Sequence, residues 1–290
     1  MLVDEGHRGT SGAEIGQWMQ KRNQLCENGF SFEYSATFGQ AMKASSNKNL
    51  EQEYARCILF DYSYKYFYAD GYGKDYKILN LEDDSDEVVR RRYLTACLMV
   101  FYQQKKLYKD RRSDFIPFLI EQPLCVFVGG SVNAVRMQNK RKVSDVTDIL
   151  LFLSEFMSNR SESIAYIGNL LKGQSGLLDT HESDLFARTF AHLYKSHLTA
   201  EQVFDDVLLV LFNASSGASL HVENLKGTDG EIALRLGEND PFGVINVGDT
   251  SELCKLCDEY DELVVTEREF SGSLFRELSD SESKINILIG

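Results

Sequence analysis

Residues Leu124–Val128 read LCVFV, five apolar side chains in succession, and Gly129-Gly130-Ser131 turns the chain immediately after them. A continuously apolar run this short is a strand, and a strand that leaves through a glycine turn opens an α/β unit. Phe242–Val247 and Ile285–Ile289 are two further apolar strands. Helical patterns lie between them. Asp145–Asn159 has Ser144 as its cap, Ser183–His197 is a second helical stretch, and Thr199-Ala200-Glu201-Gln202 is a capping box that opens a third helix through Phe212. Glycines from Gly217 to Gly248 punctuate the alternating runs Leu220–Val222 and Ile232–Leu236, which predicts a hairpin or small sheet.

Upstream, Glu14–Glu27 reads as a helix stopped by Asn28-Gly29, and Phe30–Phe38 as a strand. Leu50–Phe60 carries another apolar face. Tyr62–Tyr76, dense in tyrosine and glycine, reads as an irregular surface lobe. A long helical pattern starts in the acidic stretch Asp83–Glu87 and runs to about Tyr108, with acid at its start and base at its end. Pro117 and Pro123 frame a junction. The expected fold class is therefore α/β with mainly parallel sheets. Two units are expected, 1–120 and 121–290, with a small glycine-rich β insertion at about 215–248 in the second.

Composition narrows the function classes. With 43% hydrophobic residues the chain can bury a sizeable core, and with 3 prolines it holds no Pro-rich linker. No apolar run approaches the 18 or more residues of a membrane span, and six scattered cysteines suit reduced thiols of a cytoplasmic protein. Residues 201–290 hold 19 acidic and 6 basic side chains, a difference of −13 that equals the net charge of the whole chain. Residues 1–200 are balanced, so a local basic face remains open there.

The sharpest chemical feature is Val3-Asp4-Glu5-Gly6-His7. A strand ending in Asp-Glu puts both carboxylates beside the γ-phosphate in nucleoside-triphosphate hydrolases, where the Asp holds Mg²⁺ and the Glu polarises the attacking water. A following His can hydrogen-bond across the cleft. An acidic pair of this kind is also what a solvated turn contains. Ser35-Ala36-Thr37 follows the strand-like Phe30–Tyr34 and offers two hydroxyls to bridge to such a turn.

Together these features resemble the superfamily 2 helicases, and within them the Res subunit of type III restriction–modification enzymes. VDEGH is similar to the DEAD/DEAH-type element and SATF to the Ser-Ala-Thr element. IEQPLCVFVGGSVNAV, SGASLHVENLKGTDGEIALRLGENDPFGVINVGDTSELCKLC and KINILIG look like the interior of a Res-like protein. The resemblance implies two incomplete RecA-like domains and a parent that hydrolyses ATP with Mg²⁺ to move on DNA, with a modification (methyltransferase) subunit as a partner. It implies Glu5 and His7 as catalytic residues, Asp4 and Glu5 at the nucleotide, and Asp4 on the metal. His7, Ser35 and Thr37 would couple the domains. It gives Gly129, Gly130, Ser131, Asn133, Arg136, Lys140, Arg141 and Lys142 as DNA contacts.

One departure is decisive for the chain by itself. It contains no G-x-x-x-x-G-K-[ST]. Gly73-Lys74 comes nearest, but Tyr68 stands where the first glycine belongs and Asp75 replaces the hydroxyl. The expectation is an internal fragment of the motor that binds no nucleotide stably and depends on flanking segments. The rival reading is a non-catalytic interaction module or a truncated remnant. Cys254 and Cys257 lack a second ligand pair for zinc and read as packing residues. His181-Glu182 lacks the second His of a metalloprotease motif.

Overall fold

The computed structural model describes residues 1–7, 17–39, 52, 54–73, 75–79, 86–129, 135–138 and 141–290. Contacts divide the chain into two compact units, Met1–Ile78 and Leu79–Gly290. The sequence-based junction at 117–123 lies inside the second unit. The reason is the helix α3 (Glu87–Asp110), followed by the single-turn α4 (Arg112–Phe115): the α3 stripe Thr95, Leu98, Met99 and Tyr102 is buried at helical spacing in the core that the second unit's sheet shares.

In the first unit, β1 (Leu2–Val3) and β2 (Phe32–Glu33) pair in parallel, Leu2 opposite Phe32 and Val3 opposite Glu33. Parallel strands need a crossover, and it carries α1 (Gln17–Leu25), which buries Met19 and Arg22 three residues apart on one face. The short helix α2 (Tyr64–Ala69) buries no residue, in keeping with a surface lobe. Its rings are held by one another and by carboxylates: Tyr62 donates to Asp70 at 2.7 Å and Tyr68 to Asp75 at 2.5 Å.

The second unit is a mixed α/β domain around a six-stranded sheet. The strands are β3 (Cys125–Phe127), β6 (Leu220–Lys226), β7 (Glu231–Leu236), β8 (Gly243–Asn246), β9 (Leu263–Glu269) and β10 (Ile287–Ile289), in the order β3-β10-β8-β7-β6-β9. The pairs β3–β10, β10–β8 and β6–β9 are parallel, whereas β7 runs antiparallel to both neighbours. A separate two-stranded ribbon pairs β4 (Arg136–Gln138) with β5 (Arg141–Val143). The glycine-rich segment is thus no small insertion. It supplies β6, β7 and β8, half of the main sheet, because Val222, Ile232 and Leu234 face one continuous core.

Two crossovers set the layers. From β8 to β9 the chain passes through α9 (Thr250–Cys257), whose Leu253 and Cys257 join the large core. From β9 back to β10 it passes through the single-turn α10 (Leu274–Glu277), whose Leu274 packs with Leu225, Ala233 and Val244 on the other face. Crossovers of one hand that travel in opposite directions must lie on opposite faces. The helices α5 (Asp145–Ser158), α6 (Arg160–Leu171) and α8 (Ala200–Phe212) complete the first face with α3. Phe212 meets Phe242 edge-to-face, centroids 4.9 Å apart, a geometry worth about 0.5–1.5 kcal/mol beyond area burial.

Two local expectations are met at the level of individual bonds. Ser144 accepts from the Thr147 amide at the start of α5. Thr199 and Gln202 exchange both bonds of the capping box at the start of α8, at 2.9 and 3.2 Å. A third is corrected. The stretch 183–197 is helical only over α7 (Ala191–Lys195). Asp184 there accepts from the amides of Ser175 (2.6 Å) and Phe186 (2.9 Å) and from the Ser175 hydroxyl, so its carboxylate holds turns in place of a helix start. Arg188, at φ 62°, also breaks the helical path. Among the described residues no helix is long and apolar enough to cross a membrane.

Candidate functional site

The first unit brings the acidic element and the hydroxyl element together. Because β1 and β2 are parallel and in register, both chains leave the sheet at the same end. The ladder continues past them: the Tyr34 amide donates to Val3 and the Gly6 amide to Tyr34, each at 2.9 Å. Asp4–His7 then forms a turn alongside Ser35. His7 Nδ1 lies 2.7 Å from Ser35 Oγ and 3.1 Å from Glu5 Oε2. One ring nitrogen is thereby placed between a carboxylate and a hydroxyl, and the imidazole tautomer sets which group donates across the Ser35 contact. Ser35 Oγ also accepts from the Thr37 amide at 3.1 Å, which is how Thr37 enters the cluster.

Two backbone features shape the turn. Glu5 sits at φ 51°, in the left-handed region where a non-glycine residue is strained. Gly6 is buried, and a Cβ on it would stand 2.7 Å from Glu33 Cβ. Glycine is therefore required by the close passage of β2, which accounts for the DEGH spelling. Asp4 is exposed, and its Oδ1 accepts the Glu5 amide at 2.9 Å.

Underneath lies a layer that sequence reasoning missed. Arg22 is 4% exposed and donates through Nη1 to the Gly6 carbonyl at 3.1 Å and to Glu33 Oε2 at 2.9 Å. Its Nη2 reaches the Tyr54 hydroxyl at 2.6 Å, and that hydroxyl donates to Glu33 at 3.0 Å. Burial, with the Glu33 carboxylate adding to it and Arg22 opposing, pushes the Tyr54 hydroxyl up to about 12. The only hint in the sequence is an arginine three residues from Met19 on the buried side of α1.

The donor chemistry fits Mg²⁺ in one respect. Mg²⁺ beside a phosphate needs one or two carboxylates plus phosphate oxygens and water, not a protein cage. Asp4 is one exposed carboxylate at a strand end, and among the described residues no group of three or more His, Cys, Asp or Glu forms a cage.

Of the expected DNA-contact residues, Gly129, Arg136, Arg141 and Lys142 are described, all in the second unit. The Gly129 amide donates to Gly290 at 2.9 Å, tying the ends of β3 and β10. Arg136, Arg141 and Lys142 lie on the β4–β5 ribbon, with Met137 opposite Lys142 and Gln138 opposite Arg141. Gly130, Ser131, Asn133 and Lys140 lie outside the described residues. Burial pushes the Cys254 thiol up to about 11 and that of Cys257 up to about 12, in keeping with their packing in the core. At the near-miss phosphate loop a Cβ on Gly73 would stand 2.8 Å from Tyr68 Cα, the geometry of a tight turn.

No family model matches the chain, and no curated protein or solved structure matches it either.

Proposed function

We propose that this chain carries the hydrolytic element of an ATP-dependent DNA translocase resembling the Res subunit of type III restriction enzymes, on a RecA-like scaffold. One observation carries the reading: the 2.7 Å contact of His7 Nδ1 with Ser35 Oγ, 28 residues apart, at the same end of two parallel strands. A solvated acidic turn does not require a partner there. A nucleotide-sensing turn does, because its movement has to reach a second element.

In this reading Asp4 holds Mg²⁺, and the ion when bound neutralises charge on the phosphoryl oxygens. Glu5 orients the attacking water and takes its proton. Glu5 Oε2 lies 3.1 Å from His7 Nδ1, so a change at Glu5 is felt at His7 and passed to Ser35. Ser35 and Thr37 carry it along the chain beyond β2. Gly129, Gly130, Ser131 and Asn133 contact phosphodiester groups through amides and polar side chains, and Arg136, Lys140, Arg141 and Lys142 through charge. A modification (methyltransferase) subunit is the expected protein partner.

Phosphate binding comes chiefly from P-loop amides and lysine, and no such loop is among these 290 residues. Losing that orientation and electrostatic stabilisation costs many factors of ten in rate. The chain by itself is therefore expected to release no phosphate from ATP and to bind duplex DNA weakly and salt-sensitively. Phosphate release with and without DNA, beside an Asp4→Ala/Glu5→Ala control, tests this. Turnover by the chain alone that disappears in the control would show the loop to be dispensable.

A second reading, a non-catalytic interaction module, is favoured by the exposed aromatic side chains of Phe60, Tyr72 and Tyr76, at 80%, 68% and 71% exposure. The two part on upstream coding sequence: an in-frame P-loop favours the motor, and its absence favours the module.

A further inference from the structure

We infer that Arg22 is the positioning residue that ties the acidic turn to the hydroxyl turn. The consequence for hydrolysis rests on the reading above, although the geometry does not. A single Nη1 donates both to the Gly6 carbonyl, on the Gly6–His7 peptide, and to Glu33, two residues before Ser35. Nη2 is held in turn by Tyr54. The guanidinium is planar and rigid, so with one bond to each chain it sets the spacing of the two chains.

The burial of this group argues against a merely decorative ion pair. Arg22 is 4% exposed and Glu33 15%, and a buried pair of this kind adds little net stability over an apolar replacement. Its bonds converge on the one peptide that must stay put if His7 is to keep both Glu5 and Ser35 in reach. The Gly6 position adds to this: with no Cβ it lets Glu33 come close enough to share the guanidinium. Moving the acidic turn therefore drags Arg22, and Arg22 drags β2.

Lysine cannot reproduce the arrangement. It presents a point charge and lacks the fork that spans Gly6, Glu33 and Tyr54 at once. The test is the imidazole ¹⁵N spectrum of His7 in the 290-residue chain, assigned by loss of the signal in His7→Gln. Ser35→Ala supplies the position of the signal when the His7–Ser35 bond is absent. Arg22→Lys is expected to move the wild-type signal towards the Ser35→Ala position with the far-UV circular dichroism unchanged. Tyr54→Phe, which removes one hydroxyl from the same guanidinium, is expected to move it the same way by less, and it serves where Arg22→Lys unfolds the unit. A His7 signal that coincides with wild type in either folded variant overturns the inference. The spectrum is read without nucleotide, so that outcome is independent of whether the motor reading holds. A motor that failed to hydrolyse ATP would leave the shift intact.

Discussion

Glu5 and Gly6 show how a short turn is held in one shape. Glu5 accepts a left-handed φ of 51°, which costs a side-chain-bearing residue about 1–2 kcal/mol. Neighbouring bonds hold it there: the Gly6 amide to Tyr34, and Arg22 to the Gly6 carbonyl. Gly6 has no room for a methyl group, since Glu33 Cβ would be 2.7 Å away and β2 is fixed in register by its ladder. Gly6→Ala is expected to destabilise the first unit by about 1–3 kcal/mol, the usual cost of overpacking. Trp18, the single tryptophan and a residue of α1, reports that unit in urea. An unchanged fluorescence midpoint would show that the turn has slack. At this scale the sequence displayed the groups of the proposed chemistry, Asp4, Glu5, His7 and Ser35, because each carries its proposed role in its residue type. It did not display Arg22, Glu33 and Tyr54. Their roles exist only once α1, β2 and Tyr54 converge.

The capping box of α8 illustrates an element that local chemistry determines. Thr199 and Gln202 satisfy each other's amides, and the helix they start buries Val203, Phe204, Val207, Leu208, Leu211 and Phe212. Thr199→Ala should cost about 0.5–2 kcal/mol, the range for losing an N-cap side chain. Urea unfolding followed by far-UV circular dichroism measures it, and a midpoint equal to wild type would mean that packing alone specifies the helix start. The β6–β7 hairpin was equally legible, because its apolar alternation and flanking glycines are local signals. Elements that depend on tertiary contacts were not. β9 reads LVVTERE, apolar at one end and charged at the other, and becomes a strand by pairing in parallel with β6 along its whole length. α6 has an irregular apolar face with Gly168 in it, and it forms where that face passes close to Ala200. The helix expected over 183–197 failed for the opposite reason: Asp184 had a better use as an acceptor for Ser175 and Phe186.

For the chain as a whole, buried weak acids govern behaviour in alkali. Burial pushes Cys125 up to about 12 and Cys257 to about 12, and pushes Tyr93 to about 12; Cys97, Tyr102 and Tyr166 are shifted upward too, again mainly by burial. A group whose folded pKa is raised binds its proton more tightly in the folded state, so its stabilising contribution is lost as pH rises from the unfolded towards the folded value. Lys105 works the other way. Desolvation lowers it to about 8, which adds stability as pH rises from about 8 towards the unfolded value near 10.5. One lysine opposes several thiols and phenols, so urea midpoints should fall steadily between about pH 9 and 12, the span from the ordinary thiol value to the raised ones. A flat profile would mean that these groups are solvated. Apolar runs and helix periods gave the α/β class, but the mixed sheet did not follow from them, because the antiparallel β6–β7–β8 segment joins the parallel strands in one sheet in place of forming a small insertion. The unit boundary after Ile78 was not legible either, because no proline marks it and Pro117 and Pro123 lie inside the second unit. The central claim, that the Asp4–His7 turn beside Ser35 is a hydrolytic element, is tested most directly by phosphate release from the chain joined in one polypeptide to a P-loop-bearing segment. Glu5→Gln should lower DNA-stimulated turnover about 10²–10⁴-fold, the range for removing a general base, while ATP binding is retained. Turnover equal to wild type in Glu5→Gln would contradict it.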